Sequence, residues 1–311
     1  MGGGNGAGRG TCRTDSELLS RLPAFFVIGP PRTGTSWLHE ILSEHAELPK
    51  HAKETRFFDS HFHRGLSWYQ AHYSHSKSER PIGEIAPTYF ASPDARKRIA
   101  QLIPNAKVIC IFRNPVERIL SLYRLKRAYG MIRWSFEEAI DKDPELTQSS
   151  KYATNLKAWQ SDLGPELVLP TFYDDLCDDP QSYVDALADF IGIPRFTLTK
   201  SQLRQVHASK TMTHPRNYYW TRSATAIADR FKAWRLHTAV EEIKKSQLIK
   251  LFLGGGPAFA DLSREVSLRV WELCRAEVEE LEALLQRDLS AWKYYDLNSS
   301  EIDGAYLLRR G

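Results

Sequence analysis

The sequence predicts an α/β protein with a P-loop-like three-layer fold, a central mostly parallel sheet flanked by helices. Three observations carry that expectation. Two apolar runs, residues 23–29 and 106–112, are near-continuous rather than alternating, as in strands covered on both faces. Helical patterns stand between the apolar runs, which implies βαβ units. The first run leads straight into a loop bounded by Gly29 and Gly34 that opens a helix, the geometry of a phosphate cradle.

In chain order, the Gly-rich residues 1–15 read as a flexible tail without the apolar region of a signal peptide. One domain is expected over 16–295, followed by a tail over 296–311. Its helices are expected at 35–43, 93–102, 115–129, 151–163, 181–191 and 263–286. Residues 83–86 form a short strand, and 166–172 another that Pro170 demotes toward a sheet edge. Asp179-Pro180 and Gly254-Gly255-Gly256-Pro257 read as turns.

Charge narrows the function. Lys+Arg total 42 against 38 Asp+Glu, a net +4 with no basic stripe, which argues against nucleic-acid binding. No stretch reaches the roughly 18 apolar residues of a membrane helix. Cys12, Cys110, Cys177 and Cys274 lack metal spacing and are expected to be reduced, fitting a cytoplasmic protein that needs no metal.

The spacing from Gly29 to Gly34 is that of a Walker loop, but Thr35 stands where its lysine belongs, and the loop's cation is Arg32. Pro31, Arg32, Thr33, Gly34, Thr35 and Ser36 are therefore expected to hold a phosphate other than that of MgATP, with the three hydroxyls as added donors. A second anion site is expected where the 106–112 strand ends. Asn114 reads as helix cap and Pro115 as first helical residue, which puts Arg113 at a strand's carboxyl end, with Ser121 two turns up the helix.

Together, Gly-Pro-Pro-Arg-Thr-Gly-Thr-Ser-Trp-Leu and Arg113-Asn-Pro-x2-Arg-x2-Ser121 resemble the PAPS-dependent sulfotransferases. Residues 53–59, 65–69, 83–90 and 173–176 are similar to that family's carbohydrate, heparan-type branch, and 281–292 to the last helix of bacterial members. The resemblance implies an O-sulfotransferase that uses 3′-phosphoadenosine 5′-phosphosulfate (PAPS) as co-substrate and acts on a hydroxyl of a carbohydrate or glycosylated metabolite. It implies that the first loop holds the 5′-phosphosulfate and that Arg113 and Ser121 hold the 3′-phosphate. Glu54, three residues before Phe57, becomes the expected base, with Glu84 the second candidate. Arg32, where many relatives have Lys, is expected to neutralise the leaving phosphate without donating a proton. Ile85 stands where several carbohydrate enzymes have Lys, which favours a bacterial branch. Lys210 and Arg216 are expected at the 3′-phosphate, and Tyr218 on adenine. His61, His63, His72 and His75 are expected to line the acceptor cleft with Arg56, Trp68 and Tyr69, or to face solvent. Lys126, Arg127 and Arg133 are candidate contacts for an anionic acceptor. Small alcohols, phenols and peptide tyrosine are alternative acceptors. A nucleotide kinase or NTPase, or a non-catalytic nucleotide-binding module, are the alternatives of other classes.

Overall fold

The computed structural model describes residues 22–50, 52–73, 80–206, 213–215, 217–223, 225 and 255–293. Four strands form its main sheet: β1 (Phe25–Gly29), β2 (Gly83–Ile85), β3 (Lys107–Phe112) and β4 (Val168–Phe172). All pair in parallel, in the order β2-β1-β3-β4. The continuous apolar runs are explained by cover on both faces. Phe26, Ile28, Val108 and Phe112 pack into one core; Phe25, Val27, Ile109 and Ile111 pack into another on the opposite face. Pro170 lies on β4 at the sheet edge, where a residue without an N–H is tolerated.

Eight helices are labelled here. These are α1 (Thr35–Leu42), α2 (Pro93–Leu102), α3 (Pro115–Ala128), α4 (Phe136–Lys142), α5 (Tyr152–Leu163), α6 (Tyr173–Asp178), α7 (Pro180–Ile191) and α8 (Arg264–Leu285). Helices α2, α3, α5 and α8 cover the Phe26 face, through residues such as Ile99, Ile119, Trp159 and Val270. Helices α1 and α7 cover the other through Leu38, Ile41 and Leu187. The Asn114 side chain accepts the Val116 N–H at 3.0 Å, so α3 begins at the cap and proline expected of it. The Ser135–Glu138 capping box that starts α4 is reciprocal, a signal present in the sequence but not read from it.

One turn signal is a strand instead. Gly255–Ala258 (β6) pairs antiparallel with Thr213–Pro215 (β5). A Cβ on Gly256 would lie 2.6 Å from the His214 carbonyl oxygen, so glycine serves close backbone approach here.

The last helix is bound to the sheet's site end. Arg287 Nη1 and Nη2 donate to Asp175 at 2.7 and 2.6 Å. In the short helix Ser290–Lys293, the Trp292 indole donates to Asp174 at 2.7 Å and its carbonyl accepts from Asn114 at 3.4 Å. No helix among the described residues is long and apolar enough to cross a membrane.

Candidate active site

The site lies at the carboxyl ends of β1 and β3. The register between them slips at Gly29, where β1 leaves the sheet. Gly29 has φ +79°, and a Cβ there would lie 2.7 Å from Pro87 Cβ. Gly34, at φ +85°, precedes α1, and a Cβ there would meet Leu176 at 2.9 Å. Both glycines are thus required by backbone sign and by space. They press the loop against the sheet and leave the first N–H groups of α1 available to an anion.

The loop's side chains divide. Thr33 is buried, and its hydroxyl donates to the Pro30 carbonyl at 2.7 Å, so it stiffens the loop rather than offering the proton expected of it. The Ser36 hydroxyl accepts from Lys53 Nζ at 2.6 Å. Thr35 is buried in the first turn. Arg32 takes φ +76°, and its Nε donates to Ser121 Oγ at 2.8 Å.

The two expected anion sites are therefore joined. Arg113 Nη1 donates to the Arg32 carbonyl at 3.3 Å, and its guanidinium lies 4.6 Å over the Tyr173 ring. Arg113 Nε and Nη2 also donate to Glu117 Oε2 at 3.0 and 2.8 Å, and Tyr152 holds the Arg113 carbonyl at 2.8 Å. Burial, then the nearby Arg113 charge, lowers the Arg32 pKa. The Arg113 charge, itself offset in part by Glu117, thus favours an anion beside Arg32. Neither Glu117 nor Tyr173 is among the site residues expected from the sequence. Glu117 had a signal, four residues beyond Arg113; Tyr173 had none in local spacing. Lys210 and Arg216 lie outside the described residues, as does His75. Tyr218 is described, with its carbonyl against Gly130 just beyond α3.

The segment after α1 threads between the phosphate loop and an adjacent cleft. Lys53 reaches Ser36, Arg56 lines the cleft, and half-buried Glu54 stands between them in sequence. Thr55 fixes this segment to β2. Its N–H and hydroxyl donate to Glu84 Oε1 at 3.0 and 2.5 Å. Tyr69 donates to Glu84 Oε2 at 2.6 Å, and Tyr89 approaches both oxygens at 3.3 and 3.4 Å. Glu84 is fully buried and both its oxygens are engaged. As the second candidate for base it has no free oxygen to offer an acceptor; its geometry suits positioning.

Burial raises the Glu84 carboxyl from near 4.5 to about 7, against the pull of its hydrogen bonds. The folded chain then holds that proton while the unfolded chain releases it. This group's contribution to stability is complete below about 4.5 and is lost as pH rises through about 7. Glu84→Gln is expected to flatten that part of the stability profile, as read by thermal melts across this range. An unchanged slope would refute the linkage.

The cleft has a volume of about 430 Å³. Pro31 of the phosphate loop, Arg56, Asp59, Thr88, Asp94 and Glu145 are among its lining residues. Its carboxylates are matched by cations: Asp59 by Arg56 at 3.2 Å, Asp94 by Arg98 at 3.2 Å, and Glu145 by Lys126 at 2.6 Å. Lys126 also meets Asp143 at 2.6 Å and is buried. It is thus no free contact for an anionic acceptor, a correction to the sequence reading. Asp59 Oδ1 and Thr88 Oγ1 are buried without a hydrogen-bonding partner in the protein.

Of the residues expected around the cleft, Arg56 alone among the described ones lines it, and none of the expected aromatic or histidine residues does. Tyr69 is in the core on Glu84. Trp68 packs between His61 and His72, with centroids at 5.6 and 4.7 Å. Among the described residues, no group of three or more His, Cys, Asp or Glu is arranged to hold a metal.

Residues 22–248 match the family model for the sulfotransferase domain. The chain is 32% identical over 200 residues, 57% of its length, to the human bifunctional heparan sulfate N-deacetylase/N-sulfotransferase 3. It is 34% identical over 149 residues, 45% of its length, to the membrane-associated sulfotransferase kil1 of Dictyostelium discoideum. These matches span only 23% and 32% of the two relatives. A solved sulfotransferase from Alicyclobacillus acidocaldarius superposes with a TM-score of 0.64 at 21% identity, covering 88% of this chain and 99% of that one.

Proposed function

Because the chain belongs to the sulfotransferase family, we propose that it moves the sulfuryl group of PAPS to a hydroxyl of a carbohydrate-like acceptor, releasing adenosine 3′,5′-bisphosphate. The observation that carries this reading is the convergence of Arg32, Arg113 and Ser121 at the ends of β1 and β3. Two cations and a helix N-terminus suit a ligand with phosphate at both ends. Arg113 and Ser121 hold the 3′-phosphate. The backbone of residues 31–36 cradles the 5′-phosphosulfate, and Arg32 offsets its charge. Lys210 and Arg216 remain proposed partners of the 3′-phosphate. The domain is proposed to span 16–295.

Glu54 takes the acceptor proton as the acceptor oxygen attacks sulfur. Its neighbours support this role: Lys53 faces the donor loop and Arg56 the cleft. Since the base, the loop and the acceptor do this work directly, the transfer is proposed to proceed without a metal.

The cleft supports a carbohydrate acceptor. Its lining mixes polar and apolar surface, as a sugar's own faces do, and Asp59 Oδ1 and Thr88 Oγ1 are buried atoms that hydroxyls would satisfy. Its paired charges leave no positive surplus among the described lining residues. Labelled sulfate from PAPS is therefore expected to pass to neutral oligosaccharides in preference to N-desulfated heparin. Preference for the polyanion would overturn the expected neutrality of the acceptor, and transfer to non-carbohydrate alcohols with none to either saccharide would overturn the carbohydrate reading. Magnesium-dependent ATP turnover with no transfer from PAPS would overturn the reaction itself.

A further inference from the structure

The sequence leaves the departing phosphate oxygen with one cation, Arg32, and the structure ties the Nε of that side chain to Ser121. Arg32 Nε donates to Ser121, on the side proposed for the 3′-phosphate. A guanidinium is moreover a poor substitute for an ammonium where a compact donor must follow a developing charge. At the other end of the loop a different cation is present. Lys53 Nζ lies 2.6 Å from Ser36 Oγ, in the first turn of α1. Its charge is felt along that helix, where burial and then Lys53 lower the His39 pKa to about 4. Lys53 also immediately precedes Glu54, so the two can act on opposite sides of one sulfur.

We propose that Lys53 is a catalytic residue, donating a hydrogen bond to the 5′-phosphate oxygen that leaves sulfur. The inference rests on the sulfotransferase reading above. In the transfer, the bond between sulfur and the bridging oxygen breaks, and its electron pair stays on the 5′-phosphate. The acceptor oxygen forms the new bond to sulfur, and its proton passes to Glu54. Lys53 keeps its own proton; its N–H leaves Ser36 and follows the growing negative charge. In the absence of nucleotide, Ser36 parks the ammonium beside the place where it acts.

This role differs in kind from phosphate anchoring. The bridging oxygen carries little charge in PAPS and gains it in adenosine 3′,5′-bisphosphate, whereas the 3′-phosphate is the same in both. Lys53→Ala is therefore expected to lower kcat by about 10²-fold, as loss of one aimed donor does elsewhere. By calorimetry without acceptor, it should weaken the bisphosphate more than PAPS. Arg113→Ala should weaken both equally. Lys53→Arg, which keeps the charge, should recover part of kcat. Thermal melts should be unchanged, since Lys53 is exposed. A kcat for Lys53→Ala near that of the unaltered enzyme, or equal loss of affinity for the two nucleotides, would overturn the assignment. If the unaltered chain binds neither nucleotide, the failure lies in the sulfotransferase reading and takes this inference with it.

Discussion

Replacing Glu54 with glutamine is expected to slow sulfuryl transfer by about 10²- to 10⁴-fold while leaving adenosine 3′,5′-bisphosphate bound as before. Glutamine keeps the size and polarity of the side chain but cannot accept the acceptor's proton. The segment is anchored through Thr55 on Glu84, so the exchange should leave the loop in place. Single-turnover assays with labelled PAPS, beside calorimetry with the bisphosphate, separate the two quantities. Turnover that survives the exchange would remove Glu54 as base. A parallel loss of nucleotide affinity would show that Glu54 shapes the donor site instead.

Arg113→Ala is the second large effect. Charge-assisted hydrogen bonds contribute about 1.5–3 kcal/mol each, so removing this anchor should weaken the bisphosphate by about 10- to 100-fold. The side chain also holds the Arg32 carbonyl and lies over Tyr173, so part of the loss comes from a looser loop. Titration at two salt concentrations checks the electrostatic part: the variant should show the shallower salt dependence. Affinity equal to that of the unaltered chain would rule out the 3′-phosphate role.

What could be read from the sequence was what local rules govern. The runs at 23–29 and 106–112, the proline in β4 and the cap before α3 each express a constraint that acts within a few residues, and β1, β3, β4 and α3 appear where those constraints put them. The turn from β1 into α1 was equally legible, because Gly29 and Gly34 answer to backbone sign and crowding. Contacts between distant segments were not. Nothing near Glu84 announces that its carboxylate will anchor Thr55, 29 residues earlier. Tyr69 looked like a cleft aromatic because it neighbours Trp68, yet it turns inward to that same carboxylate. Lys126 looked available for an acceptor because helix periodicity cannot reveal Asp143 and Glu145, which arrive from the next turns of chain. Nothing in local spacing links Lys53 to Ser36, 17 residues earlier; only the fold brings them together.

The Glu84 anchor has a consequence for how such a protein can change. It fastens the backbone beside Glu54 to a buried strand, while Arg56, Asp59, Asp94 and Glu145 reach the cleft from loops and helix ends. Asp94 and Glu145 reach the cleft from elements other than the segment that carries Glu54, the proposed base. Substitutions at these two positions can accumulate, one hydroxyl pattern exchanged for another, without moving the carboxylate proposed to meet the acceptor. New specificities are reachable by small steps, and laboratory evolution aimed at a different acceptor should begin with Asp94 and Glu145 and leave Thr55, Tyr69 and Glu84 alone.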